Sequence, residues 1–125
     1  LVDLDLAATT APAPPPGWTT LTDPLVAVCT HAKRDACCAQ WGRPMATALA
    51  AVLGDRVWET SHTGGHRFAA SVLTFPNGGV HGRVTDPLAF ADAVGAGRIH
   101  LPTYRGSAAL PRPKLGGSCA ARVAR

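Results

Sequence analysis

Carboxylates are few in this sequence. Of 125 residues, 16% are charged, and Glu59 is the single glutamate among 8 acidic side chains. No evident carboxylate pair exists to act as general acid and base together. Aromatics stand at 6%, no stacking platform or nucleic-acid motif accompanies the basic residues, and a nucleic-acid partner is not expected. No apolar run approaches the ~20 residues that span a bilayer. The opening Leu1-Val2-Asp3-Leu4-Asp5 has no basic region ahead of an apolar stretch, so neither a membrane span nor a secretory signal is expected. Cys-x-x-Cys is missing as well, which weakens a thiol–disulfide oxidoreductase.

What is present suits one compact domain. Hydrophobic residues make up 46%, and 13 Gly with 11 Pro signal many turns and short elements. The formal charge is +4, and the last twenty-one residues hold Arg105, Arg112, Lys114, Arg122 and Arg125 without one acid. Such a tail reads as solvated, with docking of an acidic redox partner as the alternative. Three regions follow: a Pro-rich segment over 1–23, a domain over 24–106 and an irregular basic tail over 107–125. Within the first, residues 1–6 read as a strand remnant and Ala11–Gly17 as a stiff polyproline spacer.

The pattern along the domain is strand, helix, strand, hairpin, helix. Pro24–Thr30 is a continuous apolar run, as in a strand buried on both faces. After a polar loop from His31 to Gly42, Pro44 takes a first helical position. Met45, Leu49, Val52 and Leu53 recur at helical spacing, and Gly54 stops the helix. Arg56–Ser61 is a second strand. Arg67–Phe75 and Val80–Val84 flank Pro76-Asn77-Gly78-Gly79, where Asn-Gly signals a hairpin. Thr85-Asp86-Pro87 opens a second helix carrying Leu88, Ala91 and Val94, and Ile99–Tyr104 reads as a last short strand.

Cys29, Cys37, Cys38 and Cys119 do not look like a disulfide framework. Cys37 and Cys38 are adjacent, and three of the four fall within ten residues beside His31. That clustering fits a metal site in a reducing compartment, hence a cytoplasmic location. Two boxes carry the chemistry: Cys29-Thr30-His31-Ala32-Lys33-Arg34-Asp35-Ala36-Cys37-Cys38 after the first strand, and Ser61-His62-Thr63-Gly64-Gly65-His66-Arg67 between the second and third. Thiolates and imidazoles together serve zinc, copper and iron–sulfur clusters. Eight residues between Cys29 and Cys38 are wide for a zinc knuckle. Cys29-Thr30-His31 matches half of a Rieske motif, but no cysteine is followed three residues on by histidine, so the Rieske reading fails.

Val28-Cys29-Thr30-His31 with Arg34-Asp35 and Cys38, Trp58–Ala69 around the second box, and Gly82-Arg83-Val84 resemble the sucrase/ferredoxin-like family over about residues 24–106. The resemblance implies an α/β (α+β) fold of the thioredoxin-like ferredoxin type, a central mixed sheet with flanking helices. It also implies a [2Fe–2S] cluster held by two cysteines and two histidines without Rieske spacing. Carried onto this chain, the ligands fall on Cys29, Cys38, His62 and His66. The implied role is one-electron transfer, open to proton coupling, to an unidentified redox partner protein, a carrier more than an enzyme. A zinc-binding structural module with the same Cys2His2 set is the alternative. Glycoside hydrolysis gains no support, for it commonly needs two carboxylates.

Other residues take lesser roles. Cys37 is a spare or inward-packed thiol, His31 a donor behind the ligands or a solvent-facing loop residue, and Cys119 a free thiol. His81 and His100 read as surface or packing histidines. Arg34 and Asp35 read as supporting the loop, Glu59 and Arg67 as surface charges, and Trp41 and Trp58 as core or shielding side chains. Two neutral imidazoles in place of two thiolates raise the formal charge of an oxidised cluster from about −2 to about zero. Its potential should therefore lie above that of plant-type ferredoxins.

Overall fold

Every residue of Leu25–Cys29 is apolar, and the chain buries this segment as β1, with Val26, Val28 and Cys29 wholly inaccessible to solvent. The computed structural model describes residue 13, residues 16–20 and residues 22–107. The other elements are α1 (Ala36–Leu53), β2 (Val57–Thr60), β3 (Val72–Phe75), β4 (Gly79–His81), α2 (Pro87–Gly95) and β5 (Tyr104–Ser107). Short 3-10 turns cover Gly54–Arg56, His66–Phe68 and Leu101–Thr103. The sheet runs β2-β1-β3-β4-β5, with β1 and β2 parallel and the remaining pairs antiparallel. A mixed sheet flanked by helices was the expected plan. The proposed strand at residues 1–6 and the tail beyond 107, including Cys119, lie outside the described residues.

The first helix begins eight residues earlier than Pro44 suggests. Asp35 is its N-cap, in extended conformation, and the carboxylate accepts the Cys37 backbone N–H at 2.8 Å. That bond satisfies one of the orphan donors of the first turn. Pro44 therefore sits inside α1 and forgoes one helical hydrogen bond. The buried face is Cys38, Gly42, Met45, Ala46, Leu49 and Leu53, a helical repeat that runs back through the supposed loop. Val52, expected on that face, is exposed. Gly54, with φ 64°, ends the helix.

In α2 the Asp86 carboxylate accepts the N–H groups of Leu88 and Ala89, and Pro87 follows the cap as the sequence indicated. Leu88 is 68% exposed and Phe90 takes its place in the core. At about 100° per residue, Phe90, Ala91 and Val94 form one stripe and Leu88 stands about 120° from Val94. Val26, Val28 and Val72 from one sheet face join Met45, Leu49, Phe90 and Val94 in a single cluster, so both helices share that core. The expected last strand at Ile99–Tyr104 is instead a 3-10 turn leading into β5.

Register places the functional segments. The C-terminal ends of β1, β2 and β4 meet the N-terminal ends of β3 and β5, because Cys29 pairs with Thr60, Val28 with Val72, Val72 with His81 and His81 with Tyr104. α1 starts at this same end. Both boxes therefore gather there, one leaving β1 and the other joining β2 to β3.

Candidate metal centre

Cys29 is the last residue of β1, with its N–H bonded to the Ser71 carbonyl at 3.0 Å. The chain then turns through residues 31–35, and the Asp35 cap launches α1 so that Cys38 lies in its first turn. Cys37 and Cys38 are about 100° apart round the helix. Cys38 shares the face of Gly42 and Met45 and is buried, whereas Cys37 points to solvent. Gly42 makes this approach possible. A Cβ there would sit 2.0 Å from the Cys29 carbonyl oxygen, so only glycine lets the helix lie against the strand end.

The second box supplies His62 from the loop after β2. Its Nδ1 lies 3.7 Å from Cys38 Sγ, and the donor atoms of Cys29, Cys38 and His62 all fall within 4.8 Å of one another. Gly64 and Gly65, with φ of 83° and 70°, carry the loop through left-handed backbone into the His66–Phe68 turn. His66 stands just outside the trio. Its ring centre is 6.4 Å from that of His62, nearly parallel at 28°, and its Nε2 faces Asp35 Oδ2 at 3.7 Å with 48% of the side chain exposed. His31 flanks His62 from another direction, ring centres 6.3 Å apart. Of the four expected ligands the structure thus gathers three, with the fourth adjacent and turned toward a carboxylate.

The two thiols differ electrostatically. Burial pushes the Cys29 thiol up, but the backbone N–H groups of His31 and Thr63, with the Cys38 thiol and the Thr63 hydroxyl, outweigh it and leave Cys29 below the ordinary thiol range. Cys38 is pushed up to about 11 by burial first, then by donating its proton toward Cys29 and by the charges of Cys29, Asp35 and Cys37. The pair holds one proton more readily than none. A bound cation reverses the second effect, since a coordinating thiol is deprotonated outright. The Cys37 backbone N–H and thiol hold the Asp35 carboxyl below its usual range, helped by His66 and His62.

The family model for sucrase/ferredoxin-like proteins matches residues 6–94. The chain belongs to the sucrase/ferredoxin-like family. A thioredoxin-like [2Fe–2S] ferredoxin from Aquifex aeolicus shares its fold at a TM-score of 0.56 and 15% identity, over 73% of this chain and 97% of that one. A second structure of that wild-type ferredoxin gives 0.56 at 14% identity, over 68% and 98%. A variant of it with serine in place of one cysteine gives 0.53 at 15% identity, over 67% and 99%. No curated protein matches the sequence. The architecture of this family member is accordingly the thioredoxin-like ferredoxin fold.

The donor chemistry fits a metal group. Two sulfurs and an imidazole nitrogen converge, with a second imidazole beside them, and such mixed sets hold zinc, copper or iron–sulfur centres. Backbone N–H groups aimed at Cys29 are the contacts that tune a ligating sulfur. Sequence reasoning missed Thr63 and Gly42. Thr63 was legible as a hydroxyl inside the second box, whereas the role of Gly42 exists only in the packing. Trp41 and Trp58, expected in the core or over the site, are 58% and 62% exposed. Trp58 rides the edge strand β2, its indole N–H bonded to the Asp55 carbonyl at 3.1 Å. Arg34 is exposed, while Thr30 donates its hydroxyl to Glu59 across β1 and β2. A cleft of about 220 Å³ between Thr22, Phe75 and Arg98 lies at the far end of the sheet, away from this chemistry.

Proposed function

We propose that this protein is a one-electron carrier whose Cys29, Cys38, His62 and His66 hold a [2Fe–2S] cluster. The observation that carries the proposal is the convergence of Cys29, Cys38 and His62 at one end of a fold shared with [2Fe–2S] ferredoxins. Two Aquifex variants substitute cysteines four positions apart in that ferredoxin. His62 and His66 stand the same four positions apart. When bound, the group supplies a site that accepts and releases one electron. Cys29, already inclined to ionise, and Cys38, proton-bearing until a cation arrives, supply the two anionic donors. Asp35 faces Nε2 of His66 and orients the imidazole, while the N–H groups of His31 and Thr63 steady the Cys29 sulfur.

Zinc is the second reading, and the compactness of the trio favours it. The donor atoms of Cys29, Cys38 and His62 all lie within 4.8 Å of one another, which suits one tetrahedral ion, whereas each iron of a [2Fe–2S] cluster takes only two protein donors. Metal and acid-labile sulfide analysis of anaerobically prepared protein decides between them. The carrier reading expects about two iron and two sulfide per chain with visible absorption. One zinc, no labile sulfide and no colour would end it. His62→Ala and His66→Ala should each alter the visible spectrum and the potential.

A further inference from the structure

Charge is distributed unevenly over the described residues. The end of the sheet that carries the metal centre holds Lys33, Arg34, Arg67, Arg83 and Arg105, all exposed. Three carboxylates share that end, and each is engaged by a donor. Asp35 accepts the Cys37 N–H, Glu59 accepts the Thr30 hydroxyl, and Asp86 accepts the N–H groups of Leu88 and Ala89. The opposite end holds Asp23, Asp55 and Asp92 and two cations, Arg56 and Arg98. Of these, Arg98 is paired to Asp92 at 2.7 Å and Arg56 bonds the Leu53 carbonyl. Arg43 lies partway along α1 between the two.

The cations beside the site are also arranged. Phe68 ends the turn that begins at His66, and its ring lies against Gly65. The Arg105 guanidinium stacks 3.5 Å from the Phe68 ring centre, with that of Arg83 at 5.6 Å. The Arg83 N–H bonds the Phe68 carbonyl at 2.7 Å, and Gly82 leaves room for the Phe68 and Arg105 side chains. Stacking fixes a guanidinium plane while leaving its outer edge free to meet carboxylates. Two positive groups are thereby held over the ring of Phe68, two residues along the chain from the half-exposed His66.

We propose that this face, built on Phe68, Arg83 and Arg105 with Lys33, Arg34 and Arg67 around it, docks an electron-transfer protein with an acidic surface. The inference rests on the carrier reading and names the partner of that same site. Complementary charge would steer such a partner onto the exposed imidazole side of the centre and speed encounter.

Small oxidants of opposite charge serve as probes. Reduced protein passes one electron to hexacyanoferrate(III), giving hexacyanoferrate(II), or to hexaammineruthenium(III), giving its ruthenium(II) form. At low ionic strength the anionic reagent should react faster, and Arg83→Gln with Arg105→Gln should slow it about tenfold, an effect that shrinks as salt is raised. The cationic reagent should not slow. Arg56→Gln with Arg98→Gln removes the same charge from the far end and should leave the anionic rate within about twofold. Lys33→Gln with Arg34→Gln, on an exposed turn, repeats the test without touching the Phe68 stack. Equal slowing by near and far double variants, or no dependence on reagent charge, overturns the docking face. A preparation without iron instead overturns the carrier reading itself.

Discussion

Adding one methyl group at Gly42 should uncouple the metal centre from the fold. The added Cβ would lie 2.0 Å from the Cys29 carbonyl oxygen, where ordinary contact begins at 3.4 Å, so helix and strand must part by about 1.4 Å. The neighbour is backbone and cannot rotate away. Overpacking of this kind costs ~1–3 kcal/mol, and the better helix propensity of alanine returns ~0.8–1.0 kcal/mol. The balance is a loss of up to about 2 kcal/mol, equivalent to a Tm lower by at most roughly 16 °C for a domain of this size. The effect on metal should be far larger. Ligand positions tolerate about ±0.2 Å, and Cys38 sits one turn from Gly42 on the same face. Gly42→Ala is therefore expected to fold, melt somewhat earlier and lose most of its iron. Ala50→Gly, on the exposed side of α1, costs ~1 kcal/mol through propensity alone and should keep its metal. Thermal unfolding by circular dichroism and iron per chain are the two measurements. A Gly42→Ala protein with a full metal complement and an unchanged melting point would refute the reasoning.

Cys37→Ser should retain full iron and Cys38→Ser should lose it, since only Cys38 faces Cys29; metal analysis of both separates the adjacent thiols. His81 is buried with its pKa lowered to about 4 by burial first and then by His100, and its Nε2 finds no partner among the described residues. Unfolded, it takes a proton near pH 6.5, so its contribution is complete above that pH and is lost as pH falls toward 4. The loss approaches about 3 kcal/mol. Denaturant unfolding of metal-free protein at pH 7 and pH 4.5 should show a smaller pH dependence for His81→Leu than for wild type, and identical dependence would count against it. Asp86→Ala removes the α2 cap and should cost about 1 kcal/mol, read as a lower denaturant midpoint with unchanged metal content.

Much of this architecture was legible because local chemistry and tertiary packing agree. The apolar run around Val26–Cys29, the Asn77-Gly78 turn and the Asp86-Pro87 helix start each specify one conformation, and each appears. The start of α1 misled because Pro44 is a good first helical residue. The cap that prevails is Asp35, followed by Ala36-Cys37-Cys38 with no acidic residue to advertise a first turn. Trp41 and Trp58 misled for another reason. Large rings are commonly buried, yet Trp58 lies on an edge strand with its indole N–H satisfied outside the core. The spacing of the two boxes was visible in the sequence, and the family pattern pointed to Cys38 over Cys37. The outward turn of His66 toward Asp35 was not visible, because it depends on where the capping carboxylate ends up once the helix has formed.

The donors divide between two kinds of support. Cys29 and Cys38 belong to the strand and helix that also build the interior, while residues 61–67 contribute nothing to the hydrophobic cluster. Chemistry at 62 and 66 is thus separable from foldability. Exchanging an imidazole there for a thiolate would change the charge of a bound centre by one unit without moving a core side chain. On the proposed carrier reading, such a scaffold lends itself to having its electrical set-point adjusted at two replaceable terminals while the chassis stays the same.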